Sequence, residues 1–278
     1  MTSASSFGRL VTKIDLQIDR ETGDVIRETT KAENVVVHQN QAKNPQQTQL
    51  MARYRELLCP IAGAVVGEAT APITREQARL FQTGTAPDGT PIFALGESPL
   101  GNLIADAQLA ATDNEQGAVA AFMNPGGVRA DLGAGPVTFE EAFIVQPFNN
   151  LLTTLDLTGS QLQCLLEQQF VLGRTLYPST GLAYTVSSTG TTGTAADPCV
   201  GTRVVDSSVT IGGKPVDASG IYRITTNNFL ADGGDGFSVL RDGTNRFLGG
   251  LDLDAFVDYL TANSPTTGAP TNRITVGR

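Results

Sequence analysis

The segment NFLADGGDGF, residues 228–237, carries an aromatic ring at Phe229 and a carboxylate at Asp235, six residues later. It follows a β-branched run, residues 221–226, and its Asp-Gly-Gly-Asp-Gly core is typical of a tight turn with left-handed backbone angles. The pattern predicts a ring held at a strand end with a carboxylate beside it. Such a ring can stack on a flat heterocycle with about 1–3 kcal/mol per base, and the carboxylate can accept two sugar hydroxyls.

Two other loops carry complementary groups. Residues 124–129 (NPGGVR) place Arg129, a planar donor fork, after two glycines that allow backbone N–H groups to approach a ligand. Residues 146–150 (QPFNN) place a second ring, Phe148, in a polar loop. Each signal also has an ordinary structural interpretation: a solvated arginine in a turn, a buried phenylalanine, or aspartates that only form turns. Together the groups predict a clamp for a nucleoside, with nothing that activates a water molecule.

The composition argues against several classes of function. The 278 residues include one histidine, His38, so a dinuclear metal centre is not expected. A Ser-His-Asp triad would have to use His38, which lies in a strand-like run and is interpreted as structural. No Walker A loop occurs, nor a G-x-G-x-x-G after a strand. The net charge of −9 argues against a general nucleic-acid binder, because such proteins neutralise phosphates.

Cellular location and redox state are only loosely constrained. The sequence has no run of about 18 apolar residues that would predict a membrane span. Residues 1–10 lack the apolar core of a signal peptide. No C-x-x-C pair occurs, which argues against a zinc or redox motif. Either Cys164 and Cys199 form a disulfide, as in an exported protein, or all three cysteines are inert thiols.

The elements that must position these loops mix helices and strands without regular βαβ alternation, which predicts an α+β fold. Helices are predicted over 44–66, from Pro99 after the cap Ser98, from the capping box Thr138-x-x-Glu141, after the cap Ser160, and over 253–262. Strands are predicted over 7–19 and 25–30 as a hairpin, then over 119–123, 151–157, 182–187, 204–211 and 221–226. Residues 67–95 are predicted to be rich in loops, and 188–198 to form a mobile polar loop.

Four motifs, in order, give a specific resemblance: GESPLGNLIADA at 96–107, N-x-G-G-x-R at 124–129, Pro147-Phe148, and NFLA-x-GGDGF at 228–237. With them the chain resembles the C-terminal, substrate-binding domain of the 5′-nucleotidase family, which includes UDP-sugar hydrolases. The resemblance covers roughly residues 60–278. It implies an α+β fold of mixed sheets layered with helices.

The resemblance also implies roles for individual residues. The base would lie between Phe148 and Phe229, Asp235 would hold ribose hydroxyls, and Arg129 would face ribose or phosphate. Asn124 and Asn150 would contact the base. Many family members also place an arginine shortly before the Gly-Glu-Ser motif, whereas this chain has Pro-Ile-Phe-Ala-Leu-Gly at 91–96.

The family's catalytic chemistry belongs to an N-terminal metallophosphatase domain with two divalent metal ions. The resemblance therefore implies remnant strands of that domain at 1–43, a linker helix at 44–66 and the substrate-binding domain at 67–278. The expected function is recognition of a nucleoside or nucleotide, with no catalytic or metal-binding residue in this chain, and with the metallophosphatase domain as partner. An extracellular, cell-surface or periplasmic location is implied as well. The alternatives are a non-catalytic interaction domain with a vestigial site, and an intact hydrolase with an unfamiliar site.

Overall fold

The computed structural model describes residues 4–277. Residues 1–3 and 278, which fall in the predicted 1–43 and 67–278 regions, lie outside the described residues. The chain divides into two compact units, residues 4–58 and 59–277. The roles assigned to the three predicted regions stay predictions. In the described part of the chain, no helix has the length and apolar character needed to cross a membrane.

The first unit contains an antiparallel hairpin. β1 (Leu10–Asp15) pairs with β2 (Lys31–Val36), and α1 (Pro45–Ala62) begins in this unit and ends in the second. Asn44 caps α1 as predicted, because its Oδ1 accepts two N–H groups of the first turn at 2.9 and 3.2 Å.

Two predicted bounds in this part of the sequence are wrong. The hairpin returns at β2 and not at 25–30, because Arg27–Thr29 forms a 3-10 turn. The Thr29 N–H and hydroxyl both donate to the carbonyl of Ile26, so neither the Thr29 N–H nor the Ile26 carbonyl is free to join a strand ladder. The helix predicted over 44–66 ends at Ala62, because residues from Val65 onwards pair with a strand far along the chain.

The second unit holds the remaining elements. Its strands are β3 (Val65–Ala69), β4 (Arg79–Thr85), β5 (Pro91–Leu95), β6 (Ala120–Met123), β7 (Gly135–Thr138), β8 (Leu151–Thr158), β9 (Tyr177–Pro178), β10 (Leu182–Ser187), β11 (Thr210–Ile211), β12 (Lys214–Pro215), β13 (Ile221–Asn227), β14 (Thr244–Leu251) and β15 (Ile274–Gly277). Its helices are α2 (Pro99–Ala110), α3 (Phe139–Val145), α4 (Gly159–Leu172), α5 (Asn228–Ala231) and α6 (Asp252–Ala262).

The largest sheet has five strands in the order β14-β8-β13-β6-β9. β13 and β6 are parallel, and the other neighbours are antiparallel. A four-stranded sheet has the order β12-β11-β10-β15, with β10 and β15 parallel, and two pairs, β3–β7 and β4–β5, complete the unit. These mixed sheets, combined with helices, confirm the predicted α+β fold.

The core lies on both faces of the five-stranded sheet. Successive residues of β6 point to opposite faces: Phe122 joins a cluster that includes Leu165 of α4, and Met123 joins a cluster that includes Ile104 of α2 and Phe256 of α6. All five side chains are at most 1% exposed. Burial on both faces makes the sheet a rigid support for the loops at its edges.

Two of the three remaining helix starts that were predicted from a cap are confirmed, and the third start and the loop-rich region are corrected. Ser98 caps α2, and the capping box at Thr138 begins α3, as predicted. α4 is capped by Thr158 and not by Ser160, because Thr158 forms its own capping box with Gln161. The loop-rich region 67–95 contains the β4–β5 hairpin, whose turn at 86–90 holds the glycine and proline that suggested a loop.

The strand predicted over 204–211 is reduced to β11. A 3-10 turn at Asp206–Ser208 interrupts it, where the Ser208 hydroxyl donates to the Val205 carbonyl at 2.6 Å and accepts the Thr185 N–H at 2.9 Å. These side-chain bonds replace ladder bonds of the predicted strand. Cys164 and Cys199 form a disulfide, which ties the end of the polar loop 188–198 to α4, and Cys59 is free and exposed.

Candidate functional site

The candidate site lies at one edge of the five-stranded sheet, where four loops meet. β13 and β6 are parallel neighbours, so the loops that follow them leave the sheet at the same edge. β8 runs antiparallel to β13 and β9 antiparallel to β6, so the loops that precede β8 and β9 arrive at that edge too. The sheet order therefore assembles segments that are far apart in sequence.

The loop before β8 carries Phe148 and Asn150. The asparagine between them, Asn149, has a φ of 51°, a left-handed conformation that asparagine tolerates better than most residues. The Leu151 N–H donates to Asn228 Oδ1 at 2.8 Å. This bond ties the loop of the first phenylalanine to the segment that carries the second.

The structure places Phe229 on α5, one helical turn that follows β13, and not at the strand end itself as predicted. Asn227 begins this turn, because its Oδ1 accepts the Leu230 N–H at 2.9 Å. The Phe229 ring packs over Gly234, where an added Cβ would lie 2.5 Å from Phe229 Cε1. Only glycine allows this approach, so the position of the ring depends on Gly234.

The turn after α5 has the left-handed angles that its sequence predicted. φ is 79° at Gly233, 56° at Asp235 and 94° at Gly236. A left-handed conformation is uncommon for a residue with a Cβ, and at Asp235 it accompanies hydrogen bonds from neighbouring loops to the carboxylate. Asp235 is therefore a fixed group of the site as well as a turn former.

A series of side-chain hydrogen bonds holds the Asp235 carboxylate. Asn227 Nδ2 donates to Asn124 Oδ1 at 3.0 Å, and Asn124 Nδ2 donates to Asp235 Oδ2 at 2.9 Å. Arg174 Nη1 donates to Asp235 Oδ1 and forms an ion pair with it. Asn227 and Asn124 are buried. Asn124, predicted to contact a base, thus uses its amide to position the carboxylate.

One cavity of about 760 Å³ joins the predicted residues. Its lining includes all six of them: Asn124, Arg129, Phe148, Asn150, Phe229 and Asp235. The volume is in the range of small-molecule sites. Phe148 is 54% exposed and Phe229 is 45% exposed, so neither ring is the buried phenylalanine of the structural interpretation.

Arg129 is held at the cavity wall. Its Nη1 donates to the Gly126 carbonyl at 3.0 Å, and its guanidinium carbon lies 5.7 Å from the centroid of the Phe148 ring. At this distance the guanidinium is attracted to the face of the ring. Arg129 and Phe148 therefore orient one another, and Arg129 is not simply a solvated turn residue.

Asn150 is linked to a buried carboxyl group. Its side-chain Nδ2 donates to Asp252 Oδ2 at 3.2 Å, and its backbone carbonyl accepts the Asp252 N–H at 2.9 Å. Burial raises the pKa of Asp252 to about 6. The other carboxyl oxygen, Oδ1, is buried and has no hydrogen-bond partner among the described residues.

Two polar side chains of the cavity, Gln77 and Arg174, escaped the sequence analysis. Gln77 lies in the segment before β4, and its Nε2 donates to the Gly96 carbonyl at 2.9 Å. Arg174 follows Gly173, which ends α4 in a left-handed conformation. A glycine after a helical pattern marks the end of the helix, but only the pairing of β9 with β6 places the next residue at the site.

The described residues 4–277 contain no group of three or more His, Cys, Asp or Glu side chains that could hold a metal ion. No metal site is assigned to this part of the chain.

A family model described as the C-terminal domain of 5′-nucleotidase matches residues 82–242, more than half of the chain. The chain belongs to the 5′-nucleotidase C-terminal domain family. The match runs from within β4 to the turns that follow α5. It includes all six predicted cavity residues together with Arg174.

Individual members of the family extend this result. Endonuclease YhcR of Bacillus subtilis (strain 168) is 30% identical over 265 residues, which cover 94% of this chain and 19% of that protein. Cell wall protein Lmo0130 of Listeria monocytogenes is 34% identical over 173 residues, which cover 59% of this chain and 21% of that protein. A 5′-nucleotidase precursor from Thermus thermophilus superposes with a TM-score of 0.65 at 27% identity, covering 99% of this chain and 51% of that chain.

The chain thus spans about half or less of the length of these relatives. Membership of the 5′-nucleotidase family supports a nucleotidase-related, substrate-binding role. The first cation of the cavity is Arg129. In this 5′-nucleotidase C-terminal domain the second cation of the cavity is Arg174, which comes from a different loop.

Proposed function

We propose that this domain binds a nucleoside or nucleotide, with the base between the rings of Phe148 and Phe229 and the ribose hydroxyls on Asp235. The observation that carries the proposal is that two half-exposed phenylalanines line the same cavity as Asp235 and Arg129. A cavity with aromatic walls and a few convergent polar groups is typical of small-molecule sites.

The two rings are held by different means, and this favours a slot that exists before the ligand arrives. Phe148 is oriented by the guanidinium of Arg129, and Phe229 by its close packing on Gly234. The hydrogen bond from Leu151 to Asn228 joins the two loops. Preorganised aromatic faces lose little side-chain entropy when a base enters.

Hydrolysis is assigned in this proposal to a metallophosphatase domain that carries two divalent metal ions. The support is that the chain spans 51% of the Thermus 5′-nucleotidase precursor, and that its described residues offer no donor cluster for metal. The binding domain contributes recognition, and its partner contributes the chemistry.

The binding part of the proposal is tested by isothermal calorimetry of the chain with adenosine, AMP and UDP-glucose. Phe229→Ala should weaken binding by about 1–3 kcal/mol, because a stacking face is lost. Phe247→Ala is the matched control: Phe247 is 48% exposed, yet it lies in β14 and does not line the cavity. No heat with any of the three ligands, or equal losses in both variants, would contradict the proposal.

The division of labour is tested by phosphate release. The chain, purified until no contaminating phosphatase activity is removed by a further step and supplied with divalent metal ions, is expected to release no phosphate from AMP. Activity that survives purification and disappears in Asp235→Asn would instead support an intact hydrolase with an unfamiliar site. Absence of ligand binding, together with stable association through the exposed hairpin β1–β2, would support the non-catalytic interaction domain.

We also propose that the domain works outside the cytoplasm, at the cell surface or in the periplasm. Two observations support this location: the Cys164–Cys199 disulfide, which persists in oxidising compartments, and a relative named as a cell wall protein. Fractionation of the source cells, with antibody detection of the chain, tests it. Recovery in the cytoplasmic fraction with reduced cysteines would contradict it.

A further inference from the structure

Arg174 is a built-in part of the cavity. The residue before it, Gly173, ends α4 with a φ of 62°. The Arg174 N–H donates to the Gln169 carbonyl at 3.0 Å, and the Leu176 N–H donates to Gln169 Oε1 at 2.7 Å. Gln169 is 2% exposed, so a buried residue holds the N–H of Arg174 with its backbone carbonyl and the N–H of Leu176 with its side chain.

The guanidinium of Arg174 has donors to spare. It donates to Asp235 Oδ1 through Nη1, and no other acceptor for this side chain occurs among the described residues. The Arg174 side chain is 51% exposed, whereas that of Asp235 is 14% exposed. A guanidinium carries five N–H donors in a fixed plane that matches the oxygens of a phosphate, so the donors that do not bind Asp235 remain available to a ligand in the cavity that Arg174 lines.

The charges of the cavity favour an additional anion. Its charged lining residues are two arginines, Arg129 and Arg174, and one carboxylate, Asp235. The two arginines come from different loops: Arg129 stands by the Phe148 ring, and Arg174 stands by the carboxylate. One cation is therefore placed at the end of the site where the sugar hydroxyls would bind.

We propose that Arg174 binds a phosphate on the 2′ or 3′ oxygen of the ribose, so that the site accepts nucleotides phosphorylated at that edge of the sugar. This inference rests on the proposed function, because it assumes that the ribose hydroxyls face Asp235. A ribose hydroxyl that donates to the Asp235 carboxylate would lie beside Oδ1, the carboxylate oxygen that accepts the hydrogen bond from Arg174. A phosphate on the neighbouring ribose oxygen then comes within reach of the remaining donors of Arg174.

The alternative is that Arg174 only neutralises and orients Asp235. In that case its removal would weaken every ribose ligand equally. A phosphate-binding role predicts that the loss depends on where the ligand carries its phosphate, and this dependence separates the two explanations.

The experiment compares adenosine, adenosine 3′-phosphate and adenosine 5′-phosphate by calorimetry on the full chain. The wild type is expected to bind the 3′-phosphate about tenfold more tightly than adenosine, a gain typical of a charge-assisted hydrogen bond. Arg174→Gln should abolish this gain and leave the ratio of 5′-phosphate to adenosine unchanged. Arg174→Lys should restore part of it, since the charge returns without the planar fork.

Arg246→Gln is the matched control. Arg246, in β14, pairs through Nη2 with Oδ1 of Asp232 at the end of α5 at 2.7 Å, but neither residue lines the cavity. This variant should keep the preference for the 3′-phosphate. Circular dichroism of each variant verifies that the fold is retained.

The outcomes distinguish the two proposals. If adenosine binds and loses affinity in Phe229→Ala, but the 3′-phosphate adds nothing in the wild type, the inference about Arg174 is wrong and the proposed function stands. If Arg174→Gln lowers affinity for all three ligands by the same factor, Arg174 only orients Asp235, and the inference is again overturned. If adenosine, its 3′-phosphate, its 5′-phosphate and UDP-glucose all give no heat, both proposals are wrong.

Discussion

Asp252 makes the stability of this domain depend on pH in a direction opposite to that of most carboxylates. The group is 2% exposed, and burial raises its pKa from the ordinary 3.8 to about 6. The folded state therefore holds this proton more tightly than the unfolded state does. The stabilisation from the proton is complete below about pH 4 and is lost as the pH rises through about 6.

The magnitude follows from the size of the shift. A change from 3.8 to about 6 corresponds to about 3 kcal/mol of free energy of unfolding. Asp252→Asn removes the titration and keeps an oxygen that can accept the hydrogen bond from Asn150 Nδ2. Relative to this variant, the wild type should lose about 2.4 kcal/mol between pH 4 and pH 7, because part of the full effect lies below pH 4.

The assay is urea unfolding of both proteins at several pH values in this range, followed by circular dichroism. Taking the difference between the two proteins cancels the titration of all other carboxylates. Asp254→Asn is the control, because Asp254 lies two residues further along α6 and is exposed. A difference between wild type and Asp252→Asn that does not change with pH would refute the reasoning, as would an equal effect in the control.

Two further predictions concern the glycine under the ring and the disulfide. Gly234→Ala should weaken adenosine binding about as much as Phe229→Ala, because the new Cβ would displace the ring; Gly250→Ala, where a Cβ meets nothing within 4 Å, should leave calorimetric affinity unchanged. Equal affinities in wild type and Gly234→Ala would contradict this. Replacing Cys164 and Cys199 by serine opens a loop of 35 residues and should lower the free energy of unfolding by about 3–4 kcal/mol. Urea unfolding measures it, and an unchanged midpoint would show that the unfolded chain is not constrained by this bond.

The helix starts illustrate what local sequence can predict. Ser98 with Pro99, and the capping box at Thr138, begin α2 and α3 as expected, because an N-cap satisfies N–H groups within its own turn. The wrong choice of Ser160 shows the limit of such signals. Thr158 and Ser160 are both good caps, and Ser160 instead donates its hydroxyl to the Ala218 carbonyl at 3.1 Å, a contact made far along the chain.

Strands were predicted less well, because a strand is stabilised by its partner. β3 pairs with β7, about 70 residues away, and this pairing removes the last residues of the predicted helix 44–66. The strand expected over 204–211 is interrupted for the opposite reason, since the hydroxyl of Ser208 donates to the backbone carbonyl of Val205 in the same turn.

For the site, local sequence specifies the chemistry of the individual groups. It supplied two rings, an arginine and a carboxylate in turn-forming loops, and the order of the motifs indicated the family. The left-handed angles at Gly233 and Asp235 were also specified locally, because glycine-rich turns have few alternatives.

Which of these groups meet depends on the order of the strands in the sheet. The order β8-β13-β6-β9 brings four loops to one edge, and no local pattern specifies that order, since strand pairing depends on contacts distant in sequence. The same order adds Arg174 to the carboxylate of Asp235 and turns Asn124 towards it. Six residues of the cavity were therefore predictable, whereas Gln77 and the charge of Arg174 beside the carboxylate arose from the packing of the fold.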